Sequence, residues 1–175
     1  MKKSFLLIFG IIVCFASCKN FQYLVTEVKT SPITNCPENS DCLLELIPNS
    51  TISFKNDEFG NTYPTITEGN KTLLKYTFNK KTPKNTQDGQ YTEHVYAELE
   101  PTITKTALKN AALKNIKLHF GRLCFCKGET GYYPIKNGEF NIKKVGENTI
   151  SISINFKILE VPQITTNINE TISLK

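Results

Sequence analysis

The chain has 175 residues, a formal charge of +5 at neutral pH and six cysteines, and it has no tryptophan. Its basic residues are scattered in runs no longer than two, with no basic stripe interleaved with aromatics, so composition excludes nucleic-acid binding as the leading reading. The length suits one domain with a sizeable core. The lack of Trp takes weight from carbohydrate binding without removing it, because 7 Tyr and 11 Phe remain.

The N-terminus reads MKKSFLLIFGIIVCFASCKN. Lys2 and Lys3 precede an apolar run from Phe5 to Ala16. That run is too short to span a bilayer, which takes about 20 residues, and has the length and flanks of a secretory signal. Phe15-Ala16-Ser17-Cys18 resembles the lipobox of bacterial lipoproteins. The resemblance implies a signal peptide over residues 1–17, cleaved after Ser17 and taking Cys14 with it. It also implies a diacylglycerol on Cys18, a lipid anchor and short tether over 18–20, and a single β domain over 21–175. Cleavage would remove two lysines and no acid, leaving a mild positive balance. The implied location is the cell envelope, at the outer membrane, with the membrane as partner through the lipid on Cys18. Lys19 and Asn20 follow Cys18, so the aspartate of the enteric inner-membrane retention signal is absent. The abundance of Asn, Thr, Lys and Ile is similar to that of flavobacterial lipoproteins and implies no activity.

After the tether, most strong segments alternate with period two, the pattern of a half-buried strand. Strands are expected over 21–28, 42–47 and 51–55, the last two flanking a Pro48-Asn49 turn. Another is expected over 72–78, a surface loop over 79–90, and a strand over 91–99. TALKNAALKN, from Thr106 to Asn115, favours a short helix by propensity. A strand follows from Ile116 to Cys126. Tyr132 to Ile135 leads into Asn137-Gly138, a hairpin signal, with the return over 139–145. Residues 149–158 alternate cleanly, and 163–175 offers an edge strand. About eight to ten short strands with regular turns predict an all-β antiparallel sandwich or small barrel.

Outside the signal, Cys36, Cys42, Cys124 and Cys126 make an even set in a compartment that permits disulfides. Residues two apart in a strand have Cα atoms about 6.6 Å apart, the upper edge of what a disulfide accepts. A Cys124–Cys126 bond is therefore disfavoured unless the strand breaks there. The expectation is cross-pairing of each with Cys36 or Cys42, and the alternative is a local Cys36–Cys42 bond with Cys124 and Cys126 left free or strained. Cross-pairing would close a loop of roughly 85 residues and contribute on the order of 4 kcal/mol. Zinc ligation lacks a supporting histidine, and no metal or cofactor is expected. A redox dithiol normally has a two-residue spacer at a helix start.

Arg122, the sole arginine, shares a strand face with Leu118, Phe120, Cys124 and Cys126. A buried guanidinium needs a partner. Glu93 shows the matching anomaly among Tyr91, Val95, Ala97 and Leu99, so a cross-strand Arg122–Glu93 ion pair is expected, against an exposed Arg122. His94 and His119 fall on the opposite strand faces and read as structural, with no triad spacing. Asn56-Asp57-Glu58 and Asn61 read as turn chemistry rather than a calcium loop. Gly128, Gly131, Tyr132 and Tyr133 are a candidate binding loop, against a plain wide turn.

The function read from these residues is a non-catalytic binding or structural module of the envelope, with an envelope protein as candidate partner. The alternatives are a thiol oxidoreductase using Cys124 and Cys126, or a small-ligand or lipid carrier if a barrel is hollow.

Overall fold

A computed structural model describes residues 23–33 and 35–174, with the Tyr23 side chain excluded. The signal, Cys18 and the tether lie outside the described residues. The strands are β1 (Tyr23–Leu24), β2 (Lys29–Pro32), β3 (Ser40–Ile47), β4 (Ser50–Asn56), β5 (Thr62–Glu68), β6 (Thr72–Lys80) and β7 (Tyr91–Leu99). They continue with β8 (Thr102–Ile103), β9 (Thr106–Lys109), a 3-10 helix (Asn110–Ile116), β10 (His119–Cys124), β11 (Gly131–Pro134), β12 (Asn137–Gly146), β13 (Thr149–Lys157) and β14 (Asn167–Ser173).

Every pairing is antiparallel. A six-stranded sheet runs β11-β10-β7-β6-β3-β2 and a four-stranded sheet runs β14-β13-β12-β9. Both sheets have open edges, so the architecture is a sandwich and not a barrel. The core follows from period two. Leu44, Leu46, Leu74, Val95 and Phe120 face Phe140, Ile150, Ile152, Ile154 and Ile168, all 3 % exposed or less.

The β4–β5 hairpin forms a third layer on the outer face of the six-stranded sheet. Ile52 and Phe54 cover Leu73, Tyr96 and Tyr132 there, and Phe54 stacks on the His119 ring with centroids 3.6 Å apart. Both histidines lie on this face, as the alternation required. Glu98 fastens the hairpin, accepting from the Thr51 hydroxyl at 2.5 Å, the Ile52 amide at 2.9 Å and Lys117 Nζ at 2.8 Å.

The structure corrects several expectations. Strand 62–68 is additional, and Pro64 is tolerated in it because the two-stranded hairpin has a free side. Of the expected strand over 21–28, only Tyr23–Leu24 pairs among the described residues. Pro48-Asn49 and Asn137-Gly138 do not join paired strands. Each carries the chain to another sheet, because β3 and β11 pair with β6 and β10, whereas β4 and β12 pair elsewhere. Gly138 instead meets a steric demand. Its φ is +155°, and a Cβ there would lie 2.3 Å from the Asn155 carbonyl oxygen. The expected helix over 106–115 begins as a strand, since Thr106–Lys109 pairs with Glu139–Ile142. Asn110, at φ 49°, ends that strand, and its side chain accepts from the Gly138 amide at 3.1 Å. The helical turns that follow bury Leu113 and Ile116.

Candidate functional site

The chain end that joins β10 to β11 carries most of the residues singled out by the sequence. β10 stops at Cys124 and the backbone bends at Phe125, which brings the Cα atoms of Cys124 and Cys126 to 5.2 Å. That lies within ordinary disulfide range, and the two cysteines are bonded. Cys36 bonds Cys42, with a Cα separation of 5.6 Å. Both bonds are local, so the expected cross-pairing is overturned. The physical reason is the break in the strand, which removes the geometric objection to a Cys-Phe-Cys ring. The 36–42 bond had the looser requirement, because its loop turns back through Asn39 at φ 55°.

Arg122 and Glu93 are opposite one another in register, and are 7 % and 0 % exposed. They do not form the expected direct ion pair. The guanidinium donates from Nη1 to Glu129 Oε2 at 2.8 Å and to the Glu129 carbonyl at 3.1 Å. Its Nε donates to the Tyr91 hydroxyl at 3.3 Å, and its carbon stands 5.3 Å from the Tyr91 ring centroid. Tyr91 in turn donates to Glu93 Oε1 at 2.6 Å. Glu93 spends its remaining capacity on the amides of Ile164 and Thr165, at 2.6 and 2.7 Å. Burial, reinforced by the carboxylate beside it, pushes the Tyr91 phenol up to about 12. Burial opposes the charge on Arg122, but the bonds to Tyr91 and Glu129 more than offset it and hold the guanidinium protonated.

These contacts make a stiff stem. Gly128, at φ 73°, makes the turn, Glu129 folds back onto Arg122, and the Thr130 hydroxyl donates to the Arg122 carbonyl at 3.0 Å. At its tip the ring of Cys124, Phe125 and Cys126 holds the Phe125 side chain 82 % exposed. Beside it lies a groove of about 690 Å³, lined by Leu123, Phe125 and Thr130 together with Thr82, Asp88 and Gln90 of the loop before β7. By alternation Leu123 and Thr92 continue the outer sheet face, past the part the β4–β5 hairpin covers.

The two candidate tyrosines do not form a common lip. Tyr132 pairs with Gly121 and packs into the hairpin layer, whereas Tyr133 pairs with Phe120 and packs against the main core. Gly131 sits at the start of β11 as part of the turn. Sequence reasoning missed Phe125, and its signal was the bracketing cysteines, which allow a residue between them to be held away from the strand. Asp57 closes its own turn, accepting from the Phe59 and Asn61 amides at 2.9 and 2.8 Å. No group of three or more His, Cys, Asp or Glu is assembled as a metal site among the described residues. No helix among them is long and apolar enough to cross a membrane. No protein-family model matches the chain, and no curated protein or solved structure is significantly similar to it.

Proposed function

We propose that this chain is a lipid-anchored module of the bacterial cell envelope that binds an envelope protein through the Phe125 tip, without catalysis. The anchoring half of the reading rests on the lipobox-like Phe15-Ala16-Ser17-Cys18 and the signal before it. The binding half rests on one observation: an aromatic ring 82 % exposed at the head of a disulfide-closed, Arg122-anchored stem. A rigid, solvent-exposed aromatic buries much area on contact and loses little entropy, which is why such residues dominate interface energetics.

Catalytic use of Cys124 and Cys126 draws less support. A reactive dithiol needs a cation or helix terminus that lowers a thiol pKa, and the nearby Arg122 is committed to Glu129 and Tyr91. A lipid carrier needs an apolar interior, whereas the groove of about 690 Å³ is an open one lined mostly by polar residues.

Two experiments test the reading in the native envelope. Cys18→Ser is expected to abolish acyl labelling and release the protein from membranes, and unchanged labelling would overturn the anchor. A photo-crosslinking amino acid at position 125 is expected to give a discrete protein adduct. The same group at Phe59, a hairpin-turn aromatic 81 % exposed, is expected to give none. Equal adducts at both positions, or none at 125, would overturn the tip as the binding element.

A further inference from the structure

β14 presents three residues to the interior: Ile168, Glu170 and Ile172, which are 3 %, 8 % and 1 % exposed. The alternation asks for an aliphatic residue at 170, and a carboxylate stands there instead. No hydrogen-bond donor and no cation partners it among the described residues, and burial alone holds its pKa above the usual carboxylate range. The carboxylate oxygens are not sealed off, since Thr72 Oγ1 is the one fully buried side-chain polar atom without a partner among the described residues, and Glu170 therefore meets solvent through the pocket beside it.

The carboxylate borders a pocket of about 260 Å³. The pocket opens where the edge of the four-stranded sheet, β14, meets the chain that follows β2, the edge of the six-stranded sheet. Tyr76, Thr165, Asn35, Ile33 and Pro37 also line it. Its wall at 164–166 is positioned from within, because the buried Glu93 carboxylate accepts the Ile164 and Thr165 amides. The Tyr76 hydroxyl donates to Cys42 Sγ at 3.4 Å and accepts from the Thr165 hydroxyl, which leaves one lone pair on the Tyr76 oxygen and the lone pairs of Thr165 as acceptors.

We propose that this pocket binds a primary ammonium group, with Glu170 as its counter-ion. Three N–H donors match the acceptors the wall supplies: the Glu170 carboxylate and the hydroxyl oxygens of Tyr76 and Thr165. A divalent cation wants more carboxylates than one. A quaternary ammonium wants a box of aromatic faces, and only Tyr76 lines this pocket with one. The volume admits a short alkyl ammonium or the end of a lysine side chain. The site does not depend on Phe125, which lies in a different groove.

The test is NMR titration of the full-length, ¹⁵N-labelled chain in detergent micelles and amine-free phosphate buffer. Ethylammonium and Nα-acetyl-lysine methylamide serve as amine probes, with tetramethylammonium and calcium as comparisons. The expected result is saturable shifts of the Thr165 and Glu170 amides with at least one amine, weakened tenfold or more in Glu170→Gln and unchanged in Phe125→Ala. Tighter binding of the lysine derivative than of ethylammonium points to a protein lysine as the source, and equal binding points to a free amine. Glu170→Gln removes a buried charge and so folds, which its own amide spectrum checks. No saturable shift with either amine, equal binding by Glu170→Gln, or an equal response to tetramethylammonium or calcium would overturn the proposal.

Discussion

Arg122 and Glu93 lie directly opposite each other on adjacent strands, yet their charges are joined only through the hydroxyl of Tyr91. Each is also tied to a different loop: Arg122 to the Phe125 stem, Glu93 to the strap before β14. Tyr91→Phe is therefore expected to cost about 1–3 kcal/mol, since it strips one bond from each of two buried charged groups. Glu93→Leu is expected to cost more, about 3–5 kcal/mol, because it orphans the buried Thr165 amide, the part-buried Ile164 amide and the phenol. Urea unfolding ranks the two variants, and the reverse order would refute this account of the network.

The two disulfides are predicted to differ in worth. The chain-entropy model assigns about 2 kcal/mol to the loop closed by Cys36 and Cys42 and less to the three-residue ring of Cys124 and Cys126. Cys36→Ser with Cys42→Ser is expected to lower stability by about that amount. Non-reducing peptide mapping is expected to find each bond within its own segment. A peptide linking the 36–42 region to the 124–126 region would restore cross-pairing.

Gly121 is required by its neighbour rather than by its backbone. A Cβ there would come within 2.4 Å of the Tyr132 ring. Gly121→Ala is expected to displace Tyr132 from the hairpin layer and cost about 1–3 kcal/mol, with altered near-ultraviolet circular dichroism from the tyrosines. An unchanged spectrum and stability would contradict the packing of that layer.

His94 and His119 supply a pH dependence. Burial lowers both pKa values below 6.5, with Lys75 adding to the effect at His94 and the hydrogen bond that His119 Nδ1 donates to the Lys117 carbonyl opposing it at His119. The unfolded chain then binds protons that the folded one refuses, so stability falls as pH drops below about 6.5 towards the lowered folded values. The other charged group acting on His94 is Glu45, which resists the shift; His119 otherwise faces Phe54. His119→Phe keeps the ring stacked and is expected to flatten the acid slope by up to about 1.4 kcal/mol per pH unit. Denaturant midpoints between pH 7 and 5 check this, and an unchanged slope would place the sensitivity elsewhere.

The strands were legible wherever one face is buried, because side-chain alternation is a local property that sheet pairing only exploits. Thr149–Lys157 and Tyr91–Leu99 read correctly for that reason. So did the inward faces of Arg122 and Glu93 and the opposite faces of the two histidines. The short turns misled, because Pro48-Asn49 and Asn137-Gly138 show that the chain reverses or shifts but not which strand it meets next.

Partner choice was decided in three dimensions. Glu129 reaches Arg122 because Gly128 turns the chain back, and Glu93 reaches the amides of Ile164 and Thr165 across 71 and 72 residues of sequence. The disulfide pairing depended on a strand ending at Cys124 rather than continuing to Cys126. Residue types and periodicity thus settled that this chain is all-β and antiparallel with two charges turned inward, and left sandwich and barrel both open. Whether the sheets close, which groups neutralise those charges, which thiols bond, and that Phe125 stays exposed and Glu170 without a partner among the described residues are long-range outcomes. They depend on how the sheets stack, and alternation within a strand carries no information about that.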